Sequence, residues 1–192
     1  ETLDSIAPQC TDEVEIVVVD GASPDNTEQV VKEYQQRFPC VRYFRQEKNR
    51  GVDEDFCRAV ALAKGEYCWL MTSDDVLKPR AIGAVLDATR AGHELIVVNA
   101  EVRDLELRRV LVQSKLGDIV DRVYGPEECE RLFVDVAEYL SYMGGVVVRK
   151  ALWEARDRSR YLDTDFVHLG VIFQAPLPGS AFVVAEPLMS LR

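Results

Sequence analysis

The chain has no net basic charge, no paired-cysteine motif and almost no histidine. Lys and Arg total 23 against 33 Asp and Glu over 192 residues, a formal charge of −10. A nucleic-acid binder ordinarily presents a basic face, so this balance argues against that class. Cys10, Cys40, Cys57, Cys68 and Cys129 form no Cys-x-x-Cys pair, and neither histidine stands at ligand spacing to them. Structural zinc is thereby disfavoured. Cys57 and Cys68 lie among apolar neighbours and read as small core residues. An odd cysteine count without a leader sequence suits a reducing cytoplasm. No stretch approaches the roughly 20 apolar residues that a membrane span needs. At 47% apolar content the chain can bury one substantial core.

What the chain does have is a set of acidic residues placed where strands end. Residues 64–75 read Lys-Gly-Glu-Tyr-Cys-Trp-Leu-Met-Thr-Ser-Asp-Asp. An apolar run of strand length (Glu66–Thr72) stops at Asp74 and Asp75, and Pro79 then opens a helix. Open α/β folds bind ligands at the carboxyl ends of their strands. Two adjacent carboxylates there repel unless hydroxyl donors or a cation sit between them, and Mg²⁺ is typically held by one or two carboxylates plus substrate phosphates. A solvated, N-capping turn is the plain alternative.

Upstream, Ile16–Val19 form a β-branched run of the kind buried on both faces. Asp20 ends it, Gly21 permits a tight turn, and Ser23, Pro24, Asp25 and Asn26 supply turn and capping chemistry. A helix is expected over 27–37 with Val30, Val31 and Tyr34 inward. A strand follows over 41–45, then a turn at Asn49-Arg50-Gly51, then a helix over 52–64 with Val52, Phe56, Val60 and Ala63 at helical spacing. The βαβαβ order favours a parallel sheet. Further on, the pattern predicts a helix over 79–91, a buried strand over 95–99 and a β-excursion over 102–112. A polar loop is expected over 118–122 and a helix over 126–139. His93 reads as a solvent-facing loop residue.

These segments together resemble glycosyltransferase family 2, the inverting nucleotide-sugar transferases of GT-A fold. The resemblance rests on Glu15–Thr27 (strand, Asp, then Gly-x-Ser-x-Asp-x-Thr), Asn49-x-Gly51, Ala63-Lys64-Gly65-Glu66-Tyr67 and Ser73-Asp74-Asp75, in the family's order and spacing. It covers residues 1 to about 100 well and the rest loosely. Within the family, residues 49–57 and 66–71 are similar to O-antigen sugar transferases of the abequosyltransferase type. The resemblance implies an α/β GT-A (Rossmann-like) fold with a mixed, mainly parallel sheet flanked by helices. It implies a single domain over 1–192: residues 1–100 take the nucleotide sugar, and 101–192 bind acceptor and supply the base. In that family a buried strand and turn precede the first helix and help to hold the nucleobase. Residues 1–10 read as the second half of that helix and a loop, so this strand is expected to be missing.

The implied chemistry is transfer of a sugar from a nucleoside-diphosphate sugar to a glycan or lipid-linked saccharide hydroxyl, with Mg²⁺ or Mn²⁺ as cofactor. Cell-surface polysaccharide or O-antigen synthesis is the setting. A cytoplasmic location is expected, with peripheral association at the inner membrane face compatible with the composition. Nucleotide-sugar contacts fall to Asp20, Ala22, Ser23, Asn49, Arg50, Gly51, Ser73 and Asp74. Asp75 is the expected metal ligand, with Ser73 standing where many relatives carry the first Asp of Asp-x-Asp. Because the overall charge repels a diphosphate, local cations must offset it. Arg50, inside a turn, is the better phosphate candidate, while Arg42 and Arg45 fit a solvated strand edge.

The second half of the site is expected from 139–170. Gly144 and Gly145 precede the apolar run Val146–Val148, and their missing side chains allow close approach of a sugar or simply form a turn. Thr164-Asp165-Phe166 matches the family's Glu-Asp-aromatic pattern with Thr in the Glu position, which makes Asp165 the catalytic base. Asp163 is its competitor or an N-cap. His168, three residues on and expected on the same helical face, is a candidate metal ligand, base-orienting group or acceptor contact, or a satisfied buried histidine. A sugar-nucleotide nucleotidyltransferase and a non-catalytic nucleotide- or glycan-binding module are the alternatives from other classes.

Overall fold

The structure, a computed structural model, describes residues 1–117 and 120–192. A short helix, α1 (Thr2–Ile6), leads into β1 (Ile16–Asp20). The β-branched run then crosses through α2 (Thr27–Arg37) to β2 (Val41–Arg45), and the two strands pair in parallel with Ile16 opposite Val41 and Asp20 opposite Arg45. Helix α3 (Val52–Leu62) follows, burying Phe56 and Val60 as their spacing predicts. In α2, Val31 is buried and Val30 is exposed.

The remaining strands are β3 (Tyr67–Trp69), β4 (Val76–Leu77), β5 (Leu95–Arg103), β6 (Val110–Val112), β7 (Arg122–Tyr124), β8 (Val146–Arg149) and β9 (Ala181–Leu191). They form a seven-stranded sheet in the order β3-β8-β5-β9-β4, with β6 added to β5 and β7 to β9. The α/β architecture and the mixed sheet follow expectation. Parallel pairing is confined to β1–β2 and β5–β9, however, and the other five described pairings are antiparallel. The parallel βαβαβ sheet expected over residues 14–72 thus stops after β1–β2, its third strand β3 pairing antiparallel with β8 instead.

The core lies on β5 and β8, where Leu95–Val98 and Val146–Val148 are essentially inaccessible. The helices α4 (Ala81–Thr89), α5 (Cys129–Val136), α6 (Lys150–Glu154) and α7 (Val167–Phe173) bury Ile82, Val85, Leu132, Trp153, Val171 and Ile172. A register shift between Val98 and Ala100 bends the β5–β9 pair. The Asn99 side chain satisfies the freed backbone there, donating to Ala185 O at 2.7 Å and accepting from Leu116 N at 3.2 Å. The loop expected over 118–122 falls partly outside the described residues, and Arg122 opens β7 instead.

Among the described residues the two sheets do not join: β1 pairs only with β2 and β3 only with β8, so one edge of each faces the other. Between them run two apolar openings. One of about 620 Å³ is lined by Ile16, Val17, Val60, Leu70 and Met71, and one of about 650 Å³ by Val18, Val19, Val30, Val31 and Phe56. The half-buried state of the β-branched residues Ile16–Val19 follows from this gap. Among the described residues, no helix is long and apolar enough to cross a membrane.

Candidate functional site

The end of β1 is a closed electrostatic unit. The Asp20 carboxylate is buried, with Oδ1 accepting from Ser23 N at 2.7 Å and Oδ2 from the Tyr43 hydroxyl at 2.5 Å and Arg45 Nη1 at 2.8 Å. Burial pushes its pKa up, but the Tyr43 and Ser23 hydrogen bonds and the Arg45 charge outweigh it and hold the carboxyl below the ordinary carboxylate value. Arg45 Nη2 also donates to Ser23 O at 2.8 Å, so the turn and the carboxylate are fixed together. Ala22 adopts the left-handed region (φ 64°) in that turn. The solvated-edge reading holds for the exposed Arg45 as far as solvent goes and is corrected for the half-buried Arg42. Arg45 neutralises Asp20, and Arg42 pairs with Glu15 at 2.5 Å and donates to Leu62 O at 2.9 Å.

Beside it, Asn49 Oδ1 accepts from Gly51 N at 2.8 Å, and Gly51 takes φ 91°, which favours glycine at the start of α3. Arg50 is exposed, with its nearest acidic partner Glu54 at 3.4 Å. A Cβ on Gly21 would lie 2.7 Å from Asp55 Oδ2 and 3.7 Å from Asn49 Oδ1. Gly21 is what lets the β1 turn meet the α3 turn. Asp55 was not singled out from the sequence. Burial chiefly raises its pKa, with Gln46 hydrogen-bonding to it and the Asp20 and Glu54 charges adding to the rise. An acidic residue two positions before the inward-facing Cys57 and one before the buried Phe56 was the signal available.

The end of β3 is built differently. Trp69 Nε1 donates to Gly144 O at 2.7 Å, and Ser73 O accepts from Thr2 Oγ1 at 2.6 Å, so both sides of the turn are pinned. Asp74 is exposed and Asp75 is buried. The Thr72 hydroxyl lies 2.7 Å from Asp74 Oδ1 and 2.8 Å from Asp75 Oδ2. One hydroxyl proton cannot serve two carboxylates at once. Burial first, and the Asp74 charge in addition, raise the Asp75 pKa despite the Thr72 hydrogen bonds and the Arg192 charge, which lower it. The pair is short of positive charge or protons, which suits a hard divalent cation that takes one or two carboxylates and completes its shell with phosphate and water. Among the described residues no group of three or more His, Cys, Asp and Glu side chains forms an all-protein metal cage.

Gly144 and Gly145 do not offer an open wall to a ligand. Both are buried. A Cβ on Gly144 would come closer than 3.0 Å to Asp75 Oδ2 and Met189 Cε, and one on Gly145 would lie 2.7 Å from the Tyr139 ring. Their small size serves the seating of Asp75 and Tyr139. The nearby Asp75 charge adds to burial in pushing the Tyr139 phenol far up, and its hydroxyl donates to Val98 O.

Asp163 and Asp165 lie in the exposed loop before α7, each with φ 63°. Helix α7 starts at Val167, so Asp165 and His168 share no helical face. His168 is wholly buried, with Nε2 2.7 Å from Leu140 O. A carbonyl only accepts, so Nε2 carries the proton, and Nδ1 has no hydrogen-bond partner among the described residues. Burial lowers its pKa, the Leu140 contact and the Asp53 charge opposing. The expectation that His168 ligates a metal fails on this geometry. His93 is likewise buried, 2.7 Å from Ser180 Oγ and stacked on Phe182, and is not a solvent-facing loop residue.

Asp53 is the other residue that sequence reasoning missed. Nearly inaccessible in the first turn of α3, its carboxylate accepts from Thr164 N and Asp165 N at 2.9 Å and from Val167 N at 3.0 Å. The structure thus places Ser73, Asp74 and Asp75 at one turn, Asp20, Ala22, Ser23, Asn49 and Gly51 around another, and ties the Asp163–Asp165 loop to α3.

Comparison with known proteins bears on this arrangement. A family model described as glycosyl transferase family 2 matches residues 1–136. An abequosyltransferase, RfbV of Salmonella typhimurium, is 26% identical over 200 residues, covering 94% of this chain and 57% of the relative. A chondroitin synthase of Escherichia coli is 30% identical over 112 residues, covering 58% of this chain and 16% of the relative. Among solved structures, S. aureus TarS 1–349 in complex with UDP superimposes with a TM-score of 0.74 at 19% identity, covering all of this chain and 55% of that one. The same protein in complex with UDP-GlcNAc gives 0.72 at 18% identity, covering 99% of this chain and 53% of that one. The chain spans little more than half of RfbV and of TarS 1–349. At such identity the TarS likeness establishes the GT-A fold alone.

Proposed function

The chain belongs to glycosyl transferase family 2, and on that premise we propose that it moves a sugar from a nucleoside-diphosphate sugar to a hydroxyl of a glycan or lipid-linked saccharide, with inversion. The likeness to RfbV supports O-antigen or related polysaccharide synthesis as the setting. The single observation that carries the proposal is the Thr72 hydroxyl shared by Asp74 and Asp75 at the end of β3. That turn is short of positive charge where a donor diphosphate and its cation would lie.

Asp75, supported by Asp74 and Thr72, would hold the Mg²⁺ or Mn²⁺. When bound, the cation supplies charge neutralisation on the departing diphosphate. Asp20 fixes the Ser23 turn through its three contacts and keeps a remaining lone pair for a nucleoside N–H or hydroxyl. Asp74, exposed at the rim, accepts from ribose or sugar hydroxyls. Ala22, Ser23, Asn49, Arg50, Gly51 and Ser73 shape the donor side, with Arg50 free to swing from Glu54 toward a phosphate. Asp165 takes the acceptor proton as that oxygen bonds to C1 and the C1–diphosphate bond breaks, the leaving group keeping the electron pair. Asp163, one turn of loop away, is the second candidate for that proton.

The test is release of nucleoside diphosphate from UDP-, GDP-, CDP- and dTDP-sugars with acceptor, with and without EDTA, in the full-length chain. Acceptor-dependent release that EDTA abolishes is the expected result. Pyrophosphate release would point to a nucleotidyltransferase, and nucleotide binding without turnover to a binding module. Asp75→Ala should weaken Mn²⁺-dependent nucleotide binding by about 10–100-fold, whereas Asp165→Ala should leave it within about twofold. Equal losses would contradict this division of roles.

A further inference from the structure

The segment carrying Asp165 has an unusual anchor. Asp163 and Asp165 both occupy the left-handed region at φ 63°, a conformation side chains other than Gly, Asn and Asp seldom adopt. Alternating backbone of this kind turns successive N–H groups toward one point, a concavity that binds an anion. Here the anion is the protein's own. Asp53 fills the concavity, taking the N–H groups of Thr164, Asp165 and Val167 at 2.9, 2.9 and 3.0 Å. It reaches them across more than 110 residues of sequence, from a position only 3% exposed.

We infer that Asp53 is a positioning residue that holds Asp165 in place for the acceptor, an inference that rests on the reading of Asp165 as the base. Buried carboxylates are tolerated where hydrogen bonds satisfy them, and each of these donors lies in the segment whose geometry is at stake. The far end of the segment is held by His168, through Nε2 and Leu140 O. Thr164 Oγ1, donating to Tyr161 O at 2.6 Å, closes the loop from within. The Asp165 backbone is therefore clamped while its side chain is exposed to an acceptor. Asp53 stands two residues after Gly51, so one helix start carries the donor-side turn on one side and the base's anchor on the other. A residue at 53 with fewer acceptor oxygens and no charge would hold the three N–H groups less firmly.

The experiment compares Asp53→Asn, Asp53→Ser and Asp165→Asn in the full-length chain, using whichever of the four nucleoside-diphosphate sugars the unaltered protein turns over. Asp165→Asn should lower kcat by about 10²–10⁴-fold. Asp53→Asn should lower kcat by about 10–100-fold, the scale of a misplaced reacting group, with the donor KM within about twofold. Because the Asn amide oxygen reaches as far as a carboxylate oxygen of Asp53 while the Ser hydroxyl is one bond shorter, Asp53→Asn should retain more activity than Asp53→Ser. Hydrogen exchange at the Thr164, Asp165 and Val167 amides should quicken in both. Unchanged kcat in Asp53→Asn, or a fall shared equally by kcat and donor affinity, overturns the positioning role. Full transfer by Asp165→Asn would instead overturn the base reading and the positioning role with it, while quickened exchange in Asp53→Asn would still mark the clamp as real. If Asp53→Asn fails to fold, the folded Asp53→Ser variant decides by the same kcat-against-KM split.

Discussion

Asp20 at the end of β1 and Asp75 just beyond β3 are both buried carboxylates at sheet ends, yet their surroundings push them in opposite directions. Asp20 has three donors, one of them a guanidinium, and is held below the ordinary carboxylate value. Asp75 shares one hydroxyl with a second carboxylate and is pushed above it. Asp20 is thus a finished structural joint whose charge is balanced within the protein. Asp75 has only the Thr72 contacts and the Arg192 charge against burial and the Asp74 charge, and its carboxyl stays above the ordinary value. The difference teaches that an aspartate at a strand end is not by itself a cation site: Asp20, already balanced, has at most a lone pair left for a neutral N–H or hydroxyl. What marks the site is the deficit of positive charge around it.

The largest effect that would break this comparison lies at Asp20. Asp20→Ala leaves Arg45 Nη1, the Tyr43 hydroxyl and the Ser23 N–H without their acceptor and should cost about 3 kcal/mol of stability, since hydrogen bonds to charged groups contribute about 1.5–3 kcal/mol each and Arg45 can partly turn to water. Urea denaturation measures it directly. A cost below about 1 kcal/mol would show that the joint is no more than a surface pair.

Next comes Gly144→Ala. The added methyl has nowhere to go, with Asp75 Oδ2 and Met189 Cε both inside 3.0 Å. Overpacking of this kind costs about 1–3 kcal/mol. The substitution should also displace Asp75 and so weaken Mn²⁺-dependent nucleotide binding. A stable Gly144→Ala protein with unaltered Mn²⁺ dependence would mean that Asp75 is not held by this seat. The corresponding Gly145→Ala should destabilise through Tyr139 alone.

How far the sequence foretold these features depended on whether a residue's partner was local. β1, α2, β2 and α3 were readable to within a residue or two because β-branched runs and helical spacing are local patterns. β4 was not, being two residues long and followed by Lys78-Pro79, and β9 was not, because Pro187 interrupts its apolar run. Asp20 and Asp75 could be singled out by position, but not their opposite electrostatics, because Tyr43 and Arg45 reach Asp20 from another strand. Asp53 was invisible for a related reason. An acidic residue in the first turn of a helix already has a local explanation in the helix dipole, and its true partners lie more than 110 positions away. For His168 the buried alternative holds, while the shared face with Asp165 failed by two residues: α7 begins at Val167, after Asp165 rather than before it.

A smaller effect sharpens the contrast from the other side. Asp75→Asn removes a buried charge that the Arg192 charge only partly offsets and should raise stability without added metal at neutral pH by about 0.5–1 kcal/mol. In the same variant Mn²⁺ should no longer raise the unfolding temperature in the presence of nucleotide, because stabilisation by ligand requires binding to the native state. Asp75→Asn less stable than the unaltered chain would show that the carboxylate already has a partner within the protein.

The pH dependence of that gain separates the two carboxylates most finely. For Asp75 the folded pKa lies above the unfolded value, so the folded protein binds the proton more tightly, and the destabilising contribution of the charged form is relieved as pH falls through the folded pKa. For Asp20 the folded pKa lies below its ordinary 3.8, so its stabilising contribution is intact above that value and is lost only as pH falls through the lower folded pKa. Denaturation midpoints taken from about pH 7 down to about pH 3 should therefore show the Asp75→Asn advantage shrinking first, while the Asp20→Ala deficit persists to the most acidic points. If the Asp20→Ala deficit closed at the higher pH of the two, the assignment of the satisfied and the unsatisfied carboxylate would be reversed, and the donor cation would have to be sought at the end of β1 instead.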